Sequence, residues 1–309
     1  MMELIAKTNI DFMGKRRYAF VLSGLLVAFG LFTVVQIVLG RANLGIDFAG
    51  GTSVQLNFER PVEIDEARRV LAGGGFSDAE LQEFTGTGKL LVRVKRGNTI
   101  EEHAATEIQA AFKAALPDDP FVVDSVTEIG PSIGKRLQKD AGLAILLSFV
   151  GIVAYIAFRF EFRFGVAAAV ATFHDVLSVL GLFTVMGKEI NLLLVTALLT
   201  LAGYSLNDTV VVFDRIRENL RKRHRETLAE VMNRGINQVL SRTIITALTT
   251  QLVLLALFLW GGEVLHDFAL ALLIGIVVGT YSSIFVASAL VLVWRGRPGR
   301  VIAAQETNP

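Results

Sequence analysis

The sequence predicts a membrane protein built from six transmembrane α-helices, with one small α+β domain between the first and the second helix. Two observations lead to this fold class. Of the 309 residues, 52% are apolar and only 19% are charged, with a mean hydropathy of +0.54, whereas soluble domains carry about 25% charged residues. The apolar residues are also gathered into runs of about 20 residues, the length that crosses a bilayer as a helix.

Six apolar runs are long enough to be membrane spans, at residues 18–40, 141–158, 164–187, 190–213, 243–262 and 268–294. The first run has a basic flank, as a secretory signal peptide has. Its apolar part is longer than the roughly 7–15 residues of a signal-peptide core, and no A-x-A cleavage site follows it. We therefore expect this run to be a retained membrane anchor.

Lys and Arg concentrate in alternate connections, and this pattern predicts the topology. They cluster in the N-terminal segment and in residues 159–163, 215–234 and 295–300, which all lie on one side of the membrane if there are six helices. The two short opposite connections are nearly bare, with Lys188 in one and no Lys or Arg between Gly261 and Asp267 in the other. By the positive-inside rule, both termini are then cytoplasmic and the region 41–138 is extracytoplasmic.

The region 41–138 has the pattern of a small soluble domain. We predict strands at 54–58, 80–84, 90–94 and 121–126, and helices at 64–71 and 99–116. Thr99 and Glu102 have the spacing of a capping box at the start of the second helix, and Pro117 follows its end. The order β-α-β-β-α-β predicts a ferredoxin-like domain.

The chain therefore divides into four parts. Residues 1–40 form the cytoplasmic N-terminus and helix 1, residues 41–138 the outer domain, residues 139–294 helices 2 to 6, and residues 295–309 a cytoplasmic tail. Between helices 4 and 5, apolar residues recur at helical spacing among many charges, which predicts a basic amphipathic helix near 215–239 on the cytoplasmic surface. A charged topology anchor with no partner of its own fits this segment equally well.

Several kinds of chemistry are disfavoured by composition. The chain has no cysteine, so disulfides, thiol catalysis and cysteine-ligated metals are excluded. It has four histidines and no HExxH pattern, which argues against a zinc site. We find no nucleophile–base set or phosphate-binding loop and expect that the protein is not an enzyme. A net charge of +1 gives no reason to expect nucleic acid as a partner.

Asp208 is the most informative ionisable residue, because charged side chains inside membrane helices are costly and usually face the bundle interior. It lies seven residues before Arg215, about 10 Å along the helix. Thr196, Thr200 and Gly203 lie on the same face, which is small and polar. A protonatable carboxyl on such a face could carry protons, whereas the alternative is a paired carboxylate that only orients helices.

Arg242 is the candidate cation for Asp208. It opens helix 5 at about the same depth, and Thr246 continues its helix face. The alternative is an arginine that extends to the cytoplasmic interface and obeys the positive-inside rule.

Two further groups of residues in the membrane helices have alternative interpretations. His174 and Asp175 lie in the middle of helix 3, but adjacent side chains point about 100° apart, so we expect that they cannot act at one point without a partner. They form either a second relay element or a structural hydrogen bond. Helix 6 has a small residue at every fourth position, including Gly275, Gly279 and Ser283. This pattern favours close helix packing and would also permit sliding between helices.

Six segments resemble the SecF family. They are GIDFAGGT after helix 1, IGPSIGKRL before helix 2, HDV in helix 3, GYSLNDTVVVFDRIREN in helix 4, LSRTIITALTT in helix 5 and GTYSSIFVAS in helix 6. They occur in the family's order and extend over nearly the whole chain. The fourth and fifth segments together are highly specific, and the first alone is moderately so.

The resemblance implies half of an RND-type membrane fold, located in the bacterial inner membrane. It implies SecD as the partner half, the SecYEG channel and YajC as companions, and unfolded preprotein as the substrate of export. It implies coupling to the proton gradient, with Na⁺ as the alternative ion and no bound cofactor. Asp208 and Arg242 would lie on the ion pathway, with Asn207 and Thr209 as supporting polar residues.

The resemblance also concerns the junction between helix 1 and the outer domain. Gly45, Asp47, Gly50 and Gly51 belong to its GIDFAGG segment, and we expect them to shape that junction rather than to take part in ion movement.

Three functions remain open from the sequence. The first is an export accessory that uses the proton motive force. The second is an RND-type exporter of small molecules, although an outer domain of this size leaves little room for a ligand cavity. The third is a scaffold of the export channel that transports nothing itself, for which Asp208→Asn would have no effect.

Overall fold

The computed structural model describes residues 8–84, 88–95, 104–222 and 226–295. Within these ranges, six helices are long and apolar enough to cross a membrane. They are Arg16–Val38, Pro131–Arg159, Phe162–Val185, Leu192–Arg221, Leu228–Trp260 and Val264–Trp294. The protein is therefore a multi-pass membrane protein with a helical bundle, as predicted.

Two compact units make up the chain. The first contains most of the helices and comprises Met1–Ala42, Ile145–Lys188 and Leu193–Pro309. The second comprises Asn43–Ala144 together with Glu189–Leu192, the short segment that leads into the fourth long helix.

The helices of the first unit are α1, α5 to α10 and one π-helical turn. They are α1 (Arg16–Val38), α5 (Pro131–Arg159, whose first part belongs to the second unit), α6 (Phe162–Val185), α7 (Leu192–Arg221), α8 (Leu228–Trp260), α9 (Gly262–Ser282), the π-helical turn (Ser283–Ala287) and α10 (Ser288–Arg295). The sixth predicted span is thus interrupted by a π-helical turn, which no local sequence signal indicated.

The second unit contains a four-stranded antiparallel sheet and three helices. They are α2 (Ile46–Ala49), β1 (Gly51–Phe58), α3 (Ile64–Gly73), β2 (Glu80–Glu83), β3 (Lys89–Lys95), α4 (Ala104–Ala115) and β4 (Phe121–Ile129). The strand order is β2-β3-β1-β4. The inner face of the sheet and the two longer helices enclose a core that includes Leu56, Leu71, Val92, Ile108 and Phe112. The predicted cap at Thr99 and Glu102 lies outside the described residues.

The segment near 215–239 corrects the sequence prediction. There is no separate surface helix here in the described part of the chain, because α7 continues to Arg221 and α8 begins at Leu228. Thr227 caps α8, since its side chain accepts from the Glu230 backbone and Glu230 bonds back to Thr227. The apolar residues of this segment face one another across the two helices, so the amphipathic pattern reflects a helical hairpin. Ile216, Leu228, Met232 and Ile236 are buried in its core.

The N-terminal segment packs on this hairpin. Asn233 Oδ1 accepts hydrogen bonds from the backbone N–H groups of Phe12 and Met13, each at 3.0 Å. Asn237 Oδ1 accepts from Ile10 N at 2.9 Å. Two asparagines of α8 therefore hold the chain before α1.

Candidate functional site

Asp208 lies in α7 and is buried, with 5% of its surface exposed. Its Oδ2 atom has no hydrogen-bond partner among the described residues. Arg242 of α8 acts on this carboxylate electrostatically, but no ion pair within 4.0 Å joins the two in the part of the chain that is described. The arginine is exposed. The two predicted ion-pathway residues are thus coupled at a distance rather than locked together.

Polar positions are exposed along α7 and α8 within the membrane-spanning segments. Thr196, Thr200, Gly203 and Asn207 follow one another on α7 at helical spacing, and Arg242, Thr246 and Thr249 do so on α8. The Tyr204 hydroxyl lies 3.4 Å from Thr250 Oγ1 and joins the two helices. Polar side chains in a membrane normally face a protein partner or water, so this exposed stripe is suited to a protein–protein contact.

The predicted supporting residues differ in their surroundings. Asn207 is exposed, whereas Thr209 is fully buried and its hydroxyl has no partner in the described ranges. Thr246 Oγ1 donates to the carbonyl oxygens of Arg242 and Thr243, each at 3.0 Å, so its hydroxyl is satisfied by its own helix.

His174 and Asp175 are in direct contact, with 2.8 Å between His174 Nδ1 and Asp175 Oδ1. The pair is thus hydrogen-bonded, which was one of the two alternatives left open by the sequence. The imidazole ring is long enough to turn around the helix towards the neighbouring carboxylate. Both residues are buried.

Two serines join this pair and were missed by sequence reasoning. Ser205 of α7 and Ser282 of α9 both donate hydrogen bonds to Asp175 Oδ2, the second at 2.7 Å. Each follows a tyrosine in a segment that resembles the SecF family, but the spacing of α7 and α9 in the sequence gave no indication that they meet α6. Asp175 therefore connects three helices.

The small residues of α9 and the turn after it line close helix contacts. A Cβ atom on Gly275 would lie 2.6 Å from the Leu201 side chain, and one on Gly279 would lie 3.2 Å from the Ser205 side chain. Ser283 begins the π-helical turn, where its hydroxyl donates to Thr280 O at 3.0 Å. The two glycines thus allow α9 to approach α7.

The glycine-rich motif lies in the second unit. Gly45 N donates to Ile190 O at 2.9 Å, and Leu192 N donates to Asp47 Oδ2 at 3.0 Å. Gly50 has a positive φ of 78°, which favours glycine, and a Cβ on Gly51 would collide with Val94 O. These contacts connect the motif to the segment before α7.

A charged cluster in the same unit was not predicted. Lys95 Nζ lies 2.8 Å from Glu80 Oε1 and 3.0 Å from Glu189 Oε1. Arg93 lies 3.7 Å from Glu189. Burial and the neighbouring Glu80 carboxylate raise the pKa of Glu189 to about 7, although Lys95 opposes the shift. The pKa of Glu80 is lowered despite its partial burial, because Glu189 and Lys95 both bond to it. Between pH 4.5 and about pH 7, Glu189 therefore holds a proton while Glu80 is ionised.

No group of three or more His, Cys, Asp or Glu residues is arranged to hold a metal ion in the described ranges.

Comparisons with known proteins identify the family. Residues 108–297 match the family model described as "Protein export membrane protein SecD/SecF, C-terminal", and residues 42–62 match the "SecD/SecF GG Motif". The protein translocase subunit SecF of Thermodesulfovibrio yellowstonii is 53% identical over 294 residues, which cover 94% of this chain and 97% of that relative. The SecF subunit of Vibrio alginolyticus is 43% identical over 94% of this chain and 91% of its own length.

A solved structure has the same fold. The crystal structure of SecDF from Thermus thermophilus, described as a translocon-associated membrane protein, matches with a TM-score of 0.81 and 39% identity. The match covers 96% of this chain but 40% of the SecDF chain. The present chain thus corresponds to less than half of that protein.

Proposed function

We propose, from the premise that this chain belongs to the SecF family of protein translocase subunits, that it couples ion movement across the membrane to protein export. Family membership makes it the SecF-type subunit of the SecDF translocation accessory complex. We propose that protons crossing the membrane along the proton motive force drive this complex, with Na⁺ as the alternative ion.

The observation that carries the proposal is the buried Asp208 carboxylate with a free oxygen and a cation acting from a distance. A carboxylate that takes up a proton loses its attraction to Arg242, and the packing of α7 and α8 changes with it. One elementary charge that crosses 100 mV provides about 2.3 kcal/mol, enough to shift a conformational equilibrium roughly fifty-fold. Asp208 would carry the ion, and Arg242 would respond to its charge.

The partner proposed for the exposed polar stripe is SecD. The stripe on α7 and α8 lies in membrane-spanning segments, where uncovered polar side chains are unfavourable. The Thermus thermophilus relative is named SecDF and is a longer chain, of which the match covers 39%. A second half of an RND-type fold would cover the stripe and complete the pathway.

The remaining parts of the proposal concern location and further partners. We propose the ferredoxin-like type for the domain between α1 and α5, and its element order and strand order support this proposal. It would lie outside the cytoplasm and contact unfolded preprotein, with both termini in the cytoplasm of a bacterium and the helices in its inner membrane. SecYEG would be the channel and YajC a companion subunit.

The test is preprotein export driven by a membrane potential and pH gradient, with Asp208→Asn beside wild type. Both are reconstituted with SecD and the channel at equal levels. The matched control is Asp214→Asn on the same helix, because Asp214 forms a half-exposed ion pair with Arg159 at 2.8 Å, and such pairs contribute about 1 kcal/mol or less.

We expect Asp208→Asn to lose the gradient-dependent part of export while SecD binding is retained, and Asp214→Asn to keep it. Unchanged export in Asp208→Asn would refute the ion-carrier role and leave the scaffold function. An equal loss in both variants would point to damage of α7 rather than to ion movement.

A further inference from the structure

Asp175 is the most completely buried acidic group in the described membrane helices, with 0% of its surface exposed. Its Oδ2 accepts hydrogen bonds from Ser205 of α7 and Ser282 of α9, and its Oδ1 contacts His174 Nδ1 at 2.8 Å. An ionised carboxylate only accepts hydrogen bonds, so His174 donates from Nδ1. With a neutral ring, this arrangement carries one net negative charge.

No cation offsets this charge among the described residues, since the ion pair of Asp175 is with His174 alone. The neighbouring helices contribute uncharged groups. Ser23 of α1 and Tyr281 of α9 bond to each other at 3.1 Å, and Tyr281 also donates to Ala19 O. The π-helical turn and α10 contribute hydroxyl groups, and the hydroxyl of Ser288 donates to the first carbonyl of that turn.

The charged residues of the packed helices lie elsewhere along them. Arg16 begins α1, and Asp267 near the start of α9 is paired with Lys188 at 2.8 Å. Asp208 lies three residues after Ser205 on α7 and is itself an acid. An unpaired buried charge in a membrane is unfavourable, so an additional proton is the available means of neutralisation.

The structure offers a site for that proton. His174 Nε2 is buried and has no hydrogen-bond partner in the part of the chain that is described. With Nδ1 donating to Asp175, Nε2 is the basic nitrogen of the ring. A proton at Nε2 converts the pair into an imidazolium and a carboxylate with no net charge.

The charge of the pair affects the helices that Asp175 connects. The carboxylate stays ionised, but the imidazolium bonded to its Oδ1 offsets its charge, so proton uptake weakens the attraction of Oδ2 for the hydroxyl groups of Ser205 and Ser282. Ser205 precedes Asp208 by almost one helical turn. Ser282 is followed directly by the π-helical turn Ser283–Ala287, a feature that is frequent at functional sites.

We propose that His174 and Asp175 form a second proton-binding pair in the membrane bundle, whose charge sets how firmly α7 is held to α6 and α9. The proton binding stands on the geometry of the pair. Its effect on Asp208 rests on the proposed function, because it acts through the position of the helix that carries that carboxylate. His174 and Asp175 are in this sense positioning residues.

The test measures the position of α7 directly and needs no transport. The chain has no cysteine, so spin labels can be attached at Val170→Cys on α6 and Gly203→Cys on α7. Both positions are exposed, and a side chain on Gly203 would meet no atom within 4 Å. The distance between the labels is measured by electron paramagnetic resonance on the full-length chain in lipid nanodiscs, between about pH 5 and pH 8.

We expect the population of a second, looser α6–α7 distance to rise about fivefold or more at acidic pH. His174→Asn places an amide N–H near Nδ1 but takes up no proton, so its distance distribution should not depend on pH. A pH-independent distance in the labelled chain with native His174 would overturn the proposal. An unchanged pH response in His174→Asn would also overturn it, because the proton would then bind elsewhere.

Two further variants keep the test decisive. If His174→Asn does not fold, the double variant Ser205→Ala, Ser282→Ala replaces it. This variant removes the two hydrogen bonds from α7 and α9 to Asp175 but keeps His174 and Asp175. The looser α6–α7 distance should then be populated at every pH. A pH response that persists in this double variant refutes the proposal. Asp208→Asn should retain the pH-dependent change in the α6–α7 distance. If this variant loses export but keeps that change, the role of Asp208 in ion movement is separated from proton binding by His174 and Asp175.

Discussion

Replacement of Glu189 by glutamine should stabilise the second unit at alkaline pH and leave it unchanged at acidic pH. The Glu189 side chain is 10% exposed and lies 3.0 Å from Lys95. Burial and the Glu80 carboxylate raise its pKa from 4.5 to about 7. Between pH 4.5 and about pH 7, the folded domain holds a proton on Glu189 that the unfolded chain has lost, so the stability of the domain falls as the pH rises.

The magnitude follows from the pKa difference. A shift of about 2.5 pH units, at about 1.36 kcal/mol per unit, corresponds to about 3 kcal/mol lost between pH 4.5 and pH 7. The lowered pKa of Glu80 affects stability only below pH 4.5 and the raised pKa of Lys95 only above pH 10.5, so neither changes the loss between pH 4.5 and pH 7. Glutamine resembles the protonated acid, so we expect a gain of about 1–3 kcal/mol at pH 8.

The assay is hydrogen exchange of the β2 and β3 backbone amides in the full-length protein, corrected for intrinsic exchange rates at each pH. Glu59→Gln is the matched control, because Glu59 is an exposed glutamate of the same unit and its replacement should change stability by less than about 0.5 kcal/mol. Slower exchange in Glu189→Gln at pH 8, with no difference at pH 4, is the expected result. Equal or faster exchange at pH 8 would refute the assignment of the proton to Glu189.

The remaining predictions concern helix packing and the N-terminal segment. Gly30→Ala should destabilise the bundle by about 1–3 kcal/mol, because its Cβ would collide with the Leu177 backbone of α6. In Gly24→Ala on the same helix, the added Cβ meets no atom within 4 Å, so the protein should gain up to about 1 kcal/mol of stability from helix propensity. Denaturant titration compares the free energies of unfolding of the two variants. Equal stabilities would contradict the close contact at Gly30. Asn233→Ala removes the acceptor for Phe12 N and Met13 N and should speed cleavage of the N-terminal segment in limited proteolysis, whereas unchanged cleavage would show that other contacts hold it.

Much of the fold could be predicted because its signals are local. The six apolar runs correspond to the six long helices of the described chain. The prediction of a separate surface helix near 215–239 was wrong. The apolar spacing identified helical structure correctly, but it did not show that α7 and α8 pack against each other there. A buried stripe looks the same whether a lipid surface or a second helix covers it.

The candidate site was predictable in its individual residues but not in its contacts. Asp208 and Arg242 are recognisable because ionisable groups are rare in apolar runs. The roles assigned to them stay predictions, as do those of Thr246 and the glycine-rich motif. Glu189 gave no signal, because it lies in a short polar connection where a charged residue is ordinary.

By itself, the sequence determined the number of membrane helices, the placement of the polar groups along them and the family to which the chain is similar. These depend on the hydropathy and identity of residues within about 20 positions of one another. Only the tertiary structure decided that Asp175 meets Ser205 and Ser282, and that Glu189 meets Lys95. Such contacts depend on the rotation and approach of separate elements, and these are set by packing over the whole molecule.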